Sequence, residues 1–423
     1  MEIIKTFGNY VEKWCENTPD RARWLLTKGW DAQDLKFRLA PSKKINSSDQ
    51  YLARMMMNVM LQPLKHPDQS VLVSVFTPCE LMQEAGLYPY NVESFSCYLT
   101  ASSAERAFLQ SAEDSGLSET LCSYHKTFIG AAEKGLLPKP KCIVYTNLAC
   151  DANLLTFHRL AEFFHVPVFS IDVPSGQTSE NVAYVAAQLR ALRGFLEQTT
   201  GHQIDEGRLI QRVKRGYKTL QQFDAFQSAR ADRFIPSDLV SPLYSGMTNN
   251  ILLGTEEEAL YTEKLLQDVK KAPPKKGKHI YWMHTIPFWS DAVKDALLLN
   301  DDVQIVGCEL SQATDISRHS EDPYEEMAMR LIYHALNGPI SRRINAGIRH
   351  AKQAGADGVV WFNHWGCKHT LGGSRIAKKR FEEAGLPTLI LDGDGCDRSH
   401  GGEGQTSTRL GAFLEMLGDF AHE

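Results

Sequence analysis

Residues 142–174, "CIVYTNLACDANLLTFHRLAEFFHVPVFSIDVP", decide how the chain is read. "CIVYTNLAC" is an apolar run of strand length. "DANLLTFHRLAEFF" repeats its apolar positions at helical spacing, with Asp151 placed to cap the first turn. "VPVFSIDVP" is a second strand. Strand, helix and strand in immediate succession predict a parallel pair with a right-handed crossover. Cys150 then falls at the carboxyl end of the first strand.

The pattern extends in both directions. Upstream, "VLVSVF" (71–76), "TPCELMQEAG" (77–86) and "LYPYNVE" (87–93) read as strand, turn with short helix, and strand. Downstream, "HIYWMHT" (279–285), "VQIVGCEL" (303–310), "GVVWFNHWGC" (358–367) and "LPTLILDGDGC" (386–396) read as four more strands. A long helix is expected over 323–354 and a closing one over "TSTRLGAFLEML" (406–417). Residues 1–65 are helical, and the Met stripe at 55–57 and 60 reads as core packing, since unbranched Met fills gaps. Residues 181–272 are helical too, and "KAPPKKGK" (271–278) marks a boundary through its Pro pair, Gly and charge. The expected architecture is α/β: two doubly wound parallel-sheet domains, 66–180 and 273–423. A helical N-terminal region (1–65) and a helical connecting segment (181–272) complete it.

The bulk properties exclude several classes. The chain has 423 residues, 43% of them hydrophobic and 23% charged, enough for a large core in two or three domains. The net charge of −5, with no long basic stretch, argues against a nucleic-acid partner. No apolar run is long enough to span a membrane, and the first residues lack the apolar core of a secretory signal, so a cytoplasmic location is expected. Nine cysteines in a reducing compartment are not expected to form a disulfide framework, and no CxxC pair occurs. No GxxxxGK[ST] loop is present, so the chain is not expected to hydrolyse ATP itself.

The cysteines carry the chemical signal. Cys79, Cys150, Cys308, Cys367 and Cys396 follow strand-like runs, where ligands of open α/β sheets bind. Cys122 opens a predicted helix, whose amide groups favour a thiolate. If two domains face each other, these six sulfurs can meet in the cleft. All-sulfur ligation points to iron–sulfur chemistry. Cys142 opens its strand and reads as core, as do Cys15 and Cys97, which have no strand-end context. His364, Lys368 and His400 lie near the cysteines as candidates for moving protons, and the Gly-rich "DGDGCDRSHGGEGQ" (392–405) lets backbone approach a ligand closely.

Five segments together resemble the 2-hydroxyacyl-CoA dehydratase and benzoyl-CoA reductase superfamily. They are "TPCELMQEAGLYP", "LCSYHKTFIGAA", "TNLACDANLLTFHRLAEFFHVPVFSIDVP", "GCKHTLGGSRIAKKRFEEAGLPTLILDGDGCDR" and "GQTSTRLGAFLEML". The likeness runs from about residue 70 to the end. It implies two α/β domains around an iron–sulfur centre and a separate ATP-hydrolysing iron–sulfur activator that delivers single electrons. In the dehydratases a 4Fe-4S cluster is held by three cysteines, with one iron open to the thioester carbonyl, and two unlike subunits pair. Cys122, Cys150 and Cys367 match those positions. The chain departs from that pattern at Cys79, Cys308 and Cys396. A branch of the superfamily carries a double-cubane (8Fe-9S) cluster on about six thiolates, acts as a homodimer and reduces small molecules. The resemblance therefore implies a low-potential iron–sulfur reductase of that branch, with Cys79, Cys122, Cys150, Cys308, Cys367 and Cys396 as ligands and His364 as proton donor. The alternatives are a dehydratase or aryl-CoA reductase subunit with a single 4Fe-4S cluster, and a non-catalytic electron-transfer protein.

Overall fold

The computed structural model describes residues 2–312 and 314–419. Two four-stranded parallel sheets form its centre. The first contains β1 (Ser70–Val73), β2 (Tyr88–Asn91), β3 (Cys142–Thr146) and β4 (Val168–Ile171), in the order β2-β1-β3-β4. The second contains β5 (Lys278–Met283), β6 (Val303–Cys308), β7 (Gly358–His364) and β8 (Thr388–Gly393), in the order β6-β5-β7-β8. The topology is the same in both sheets.

Period-two alternation divides each sheet between two cores. Leu72, Ile143 and Tyr145 face the N-terminal helices Glu2–Asn17, Pro19–Leu39 and Ser47–Lys65, where Met55, Met56, Met57 and Met60 fill the interior as expected. Val71, Val73, Cys142 and Val144 face the opposite way, towards Val185, Leu189 and Leu192 of the helix Ser179–Thr200. In the second sheet Ile280, Trp282, Val360 and Phe362 share one core with Leu410 and Phe413 of the closing helix Glu403–Asp419. Tyr281, Met283, Val359 and Trp361 share the other with Ala377 and Phe381.

Two local expectations are corrected. The single helix over 323–354 is two helices, Pro323–Ile332 and Ile340–Gln353. Gly338 takes φ +92°, a left-handed conformation, and Pro339 has no N–H to continue the ladder, so the chain turns between them. The first of the two helices packs Met327, Leu331 and Ile332 into the core of the first sheet, although it follows β6 in sequence. Asp151 does stand at the N-cap of the helix Ala152–Phe164, but with helical backbone (φ −64°, ψ −26°) and no side-chain cap bond. A capping side chain needs an extended backbone to reach back to the first amides, as Thr178 and Asp205 have.

The turn after Ile332 carries a pH-sensitive group. His334 is buried against the Phe76 ring (centroids 4.5 Å apart), and its Nδ1 accepts the Leu336 N–H at 3.2 Å. Burial lowers its pKa from 6.5 to about 3. Above pH 6.5 the imidazole is neutral in both folded and unfolded chains. Below it the unfolded chain takes up a proton that the folded one refuses. Stability is therefore lost as pH falls from 6.5 towards 3, by up to about 1.4 kcal/mol per pH unit from this group. Urea-unfolding midpoints measured across that range are expected to fall less steeply in His334→Asn than in the wild type.

Candidate metal centre

The carboxyl ends of the two sheets face a common cavity of about 560 Å³. Val75 and Phe76 reach it from the segment after β1, and Ala149 and Cys150 from that after β3. His284 and Thr285 follow β5, and His364, Gly366 and Cys367 come from the end of β7 and the turn beyond. In both sheets the chain runs to opposite sides from the two central strands, β1 and β3 in one and β5 and β7 in the other. The crevice at such a reversal is where open α/β sheets bind ligands.

Three of the six expected thiols line this cavity: Cys122, Cys150 and Cys367. Cys122 is the N-cap residue of the helix Ser123–Glu133. Its turn packs directly on Gly366, which has φ +81°; a Cβ built there would lie 2.8 Å from the Cys122 Cα. That contact joins the Cys122 turn to the Cys367 turn across the two halves of the molecule. Ala149 (φ +62°) precedes Cys150 and His284 (φ +77°) faces Cys367, so two non-glycine residues beside the thiols also hold left-handed backbone. Such conformations cost about 1–3 kcal/mol each and persist only where the surroundings impose them. Gly366→Ala adds a methyl group where neither φ nor space permits it. It is expected to separate the two turns and to lower stability by about 1–3 kcal/mol, measured by urea unfolding.

A histidine faces each sulfur. His364 Nε2 lies 3.2 Å from Cys122 Sγ, His125 Nε2 3.4 Å from Cys150 Sγ, and His284 Nε2 3.7 Å from Cys367 Sγ. His364 Nδ1 accepts the Gly395 N–H at 3.0 Å, which puts the imidazole proton on Nε2, pointing at sulfur. Thr370 Oγ1 approaches Cys367 Sγ at 3.2 Å. Burial raises the pKa of Cys122 and Cys150, and the neighbouring thiols raise it further; Cys122 responds to both Cys150 and Cys367. As free thiols these groups hold their protons, and a cation that displaces them removes the penalty.

The other three expected ligands are absent from the cavity wall. Cys79 turns back to donate to the Thr77 carbonyl at 3.2 Å within the apolar core of the first sheet. Cys308, the last residue of β6, donates to the His284 carbonyl at 3.3 Å. Cys396 is enclosed by the Thr100 and Thr127 hydroxyls at 3.0 and 3.3 Å. Lys368 lines the cavity from an exposed position, whereas His400 lies outside it, against the Trp365 ring (5.1 Å) and Asp397. Among the described residues no three His, Cys, Asp or Glu side chains stand close enough to share one metal ion. Three thiols carried by separate elements fit an iron–sulfur cluster, which spans several bonds and takes sulfur ligands from separate elements.

The cavity has members that the sequence reading missed. Cys97 is core as read, mid-helix in Val92–Ala101, and it also reaches the wall. So does Glu93, whose Oε1 is 3.8 Å from His125 Nε2 and whose Oε2 has no hydrogen-bond partner. Burial raises the Glu93 pKa to about 7. Arg343, fully buried, donates to both Glu309 oxygens at 2.5 and 2.6 Å and to the His369 carbonyl at 2.9 Å, and its guanidinium lies 4.6 Å above the Trp361 ring. His125 and His284 were missed as well, and the CxxH spacing that puts Cys122 and His125 on one helix turn was the sequence signal for the first of them.

Comparison with known proteins gives the family. The family described as "2-hydroxyglutaryl-CoA dehydratase, D-component" matches residues 74–417. The chain belongs to this family. Among characterised relatives, the (R)-phenyllactyl-CoA dehydratase alpha subunit of Clostridium sporogenes is 21% identical over 364 residues, covering 80% of this chain and 87% of the relative. The (R)-2-hydroxyisocaproyl-CoA dehydratase alpha subunit of Clostridioides difficile is 22% identical, covering 81% and 88%. The beta subunit of the phenyllactyl-CoA enzyme is 21% identical, covering 84% and 94%. Family membership supports an enzyme-related function for the chain. No described helix is long and apolar enough to cross a membrane.

Proposed function

We propose that this chain is one subunit of a 2-hydroxyacyl-CoA dehydratase-type enzyme and holds a single 4Fe-4S cluster through Cys122, Cys150 and Cys367. The observation that carries the reading is the convergence of three thiols, from both halves of the fold, on one cavity with room beside them. Such a cluster, held by Cys122, Cys150 and Cys367, would supply a low-potential electron and a Lewis-acid contact for a thioester carbonyl. The residues of the chain do the rest. His364 directs its Nε2 proton to Cys122 Sγ, so we assign it to holding that sulfur rather than to delivering protons to substrate. Glu93 can hold or release a proton at Oε2 near neutral pH. Leu336, in the turn before Pro339, and Leu243 and Met247 of the helix Ser241–Ile251 give the cavity an apolar side.

Electrons are assigned to a separate ATP-hydrolysing iron–sulfur activator. Both alpha and beta subunits of one enzyme match the chain, which supports pairing with a second subunit of the same fold. The double-cubane reductase would draw Cys79, Cys308 and Cys396 into the site; their packing supports the single-cluster reading instead. Iron and sulfide analysis of an oxygen-free preparation tests this. The single cluster requires about four irons per chain, retained in Cys79→Ser, Cys308→Ser and Cys396→Ser. About eight irons, or loss of iron in any of those three variants, returns the double-cubane assignment and the homodimer that goes with it.

A further inference from the structure

Four polar side chains approach the three thiols, and for two of them the direction of the hydrogen is dictated by a second partner. A backbone amide only donates, so the Gly395 N–H at 3.0 Å occupies His364 Nδ1 and leaves the ring proton on Nε2, 3.2 Å from Cys122 Sγ. A guanidinium only donates, so Thr370 Oγ1 accepts from Arg343 at 3.3 Å and is left to turn its own hydrogen to Cys367 Sγ at 3.2 Å. Arg343 is in turn held by both Glu309 oxygens. The other two lack such a partner. His125 Nδ1 meets the Thr156 hydroxyl, which can donate or accept, and the buried Nδ1 of His284 has no hydrogen-bond partner. His364 and Thr370 are both buried, so water does not compete for the bonds they make. His364 ends β7 yet serves Cys122 at the start of the helix Ser123–Glu133, so its bond crosses between the two halves of the fold.

We infer that His364 and Thr370 are positioning residues, each donating a fixed hydrogen bond to one cluster thiolate, and that together they set how readily the centre accepts an electron. The inference rests on the single-cluster reading given under Proposed function and names the residues that tune that centre. One-electron reduction adds a negative charge that the ligating sulfurs share. A donor aimed at a thiolate therefore stabilises the reduced form more than the oxidised one, and a hydrogen bond to a charged acceptor is roughly twice as strong as one between neutral groups. The electron comes from the iron–sulfur activator. No bond of the chain forms or breaks, and both donors keep their protons.

The test measures the midpoint potential of the iron-loaded full chain under anaerobic conditions, without activator or substrate. Titanium(III) citrate is added stepwise with redox mediators, the reduced centre is followed by electron paramagnetic resonance, and iron content is measured on the same samples. Thr370→Val removes one O–H with almost no change of volume, and His364→Leu removes the ring N–H. Each is expected to retain its iron and to make reduction less favourable by about threefold or more, a shift of about 28 mV to more negative potential for one electron at about 59 mV per tenfold. His364→Gln, which can present an N–H at similar reach, is expected to recover at least half of that shift. His284→Leu is expected to shift the potential less than either. Unchanged midpoints in Thr370→Val and His364→Leu with iron retained, or shifts to less negative potential, overturn the inference and leave the cluster reading standing. A shift in His284→Leu as large as in those two overturns it as well, since loss of any neighbouring side chain would then act alike. If the wild type takes up no iron, the cluster reading fails and the inference falls with it. Should His364→Leu not fold or not load iron, Thr370→Val decides alone.

Discussion

If Cys122, Cys150 and Cys367 hold the proposed single cluster, Cys150→Ser is expected to lower the iron content of oxygen-free protein from about four per chain to nearly none, because the cluster then loses one of its three protein thiolates. A serine hydroxyl is a poor replacement: it is far less acidic than a thiol, and burial already disfavours the charged form at this position. The variant is expected to fold. Cys150 lies beyond β3 on the cavity wall, outside the packed sheet cores, and Ser removes little volume. Far-ultraviolet circular dichroism should therefore match the wild type, while the visible absorption of the proposed cluster disappears. Cys122→Ser and Cys367→Ser are expected to behave alike. Full iron in any of the three variants would remove the basis of the proposed site. The contrast with Cys396→Ser is informative, since that hydroxyl would find the Thr100 and Thr127 oxygens waiting.

Glu309→Ala is expected to destabilise the fold by about 3–5 kcal/mol, the largest effect on stability among the changes considered. The Arg343 guanidinium is buried against Trp361 and keeps its charge; without Glu309 it has no anionic partner. Its remaining bonds go to the His369 carbonyl and the Thr370 hydroxyl, so the consequence reaches the turn that carries Cys367. Replacing both partners, Arg343→Met with Glu309→Leu, is expected to recover much of the loss, because neither charge is then left alone. Urea unfolding of the single and double variants measures both effects. A single variant within 1 kcal/mol of the wild type, about a fivefold change in the unfolding equilibrium, would show that the pair is not the closed unit described.

The helical N-terminal region, the eight strands and the helices that cover them were legible because each repeats its apolar residues at its own period, and each period dictates which faces must be buried. The placement of cysteines at the carboxyl ends of strands was legible for the same reason: a strand's end is a property of the chain. The direction in which each thiol points is a property of strand order, and strand order depends on contacts between residues far apart in sequence. Cys150 and Cys367 follow β3 and β7, central strands whose ends open on the crevice. Cys308 and Cys396 follow β6 and β8, the edge strands, and are drawn into neighbouring packing. Cys79 follows the central strand β1, yet its turn folds the sulfur back onto Thr77. Cys97 and Glu93 were illegible because nothing in a ten-residue helix tells which of its faces meets a cavity made by distant segments. The sequence by itself determined two parallel α/β units and a supply of thiols at one level of each sheet. Only the tertiary structure, by setting central strands against central strands, decided which of those thiols share a space.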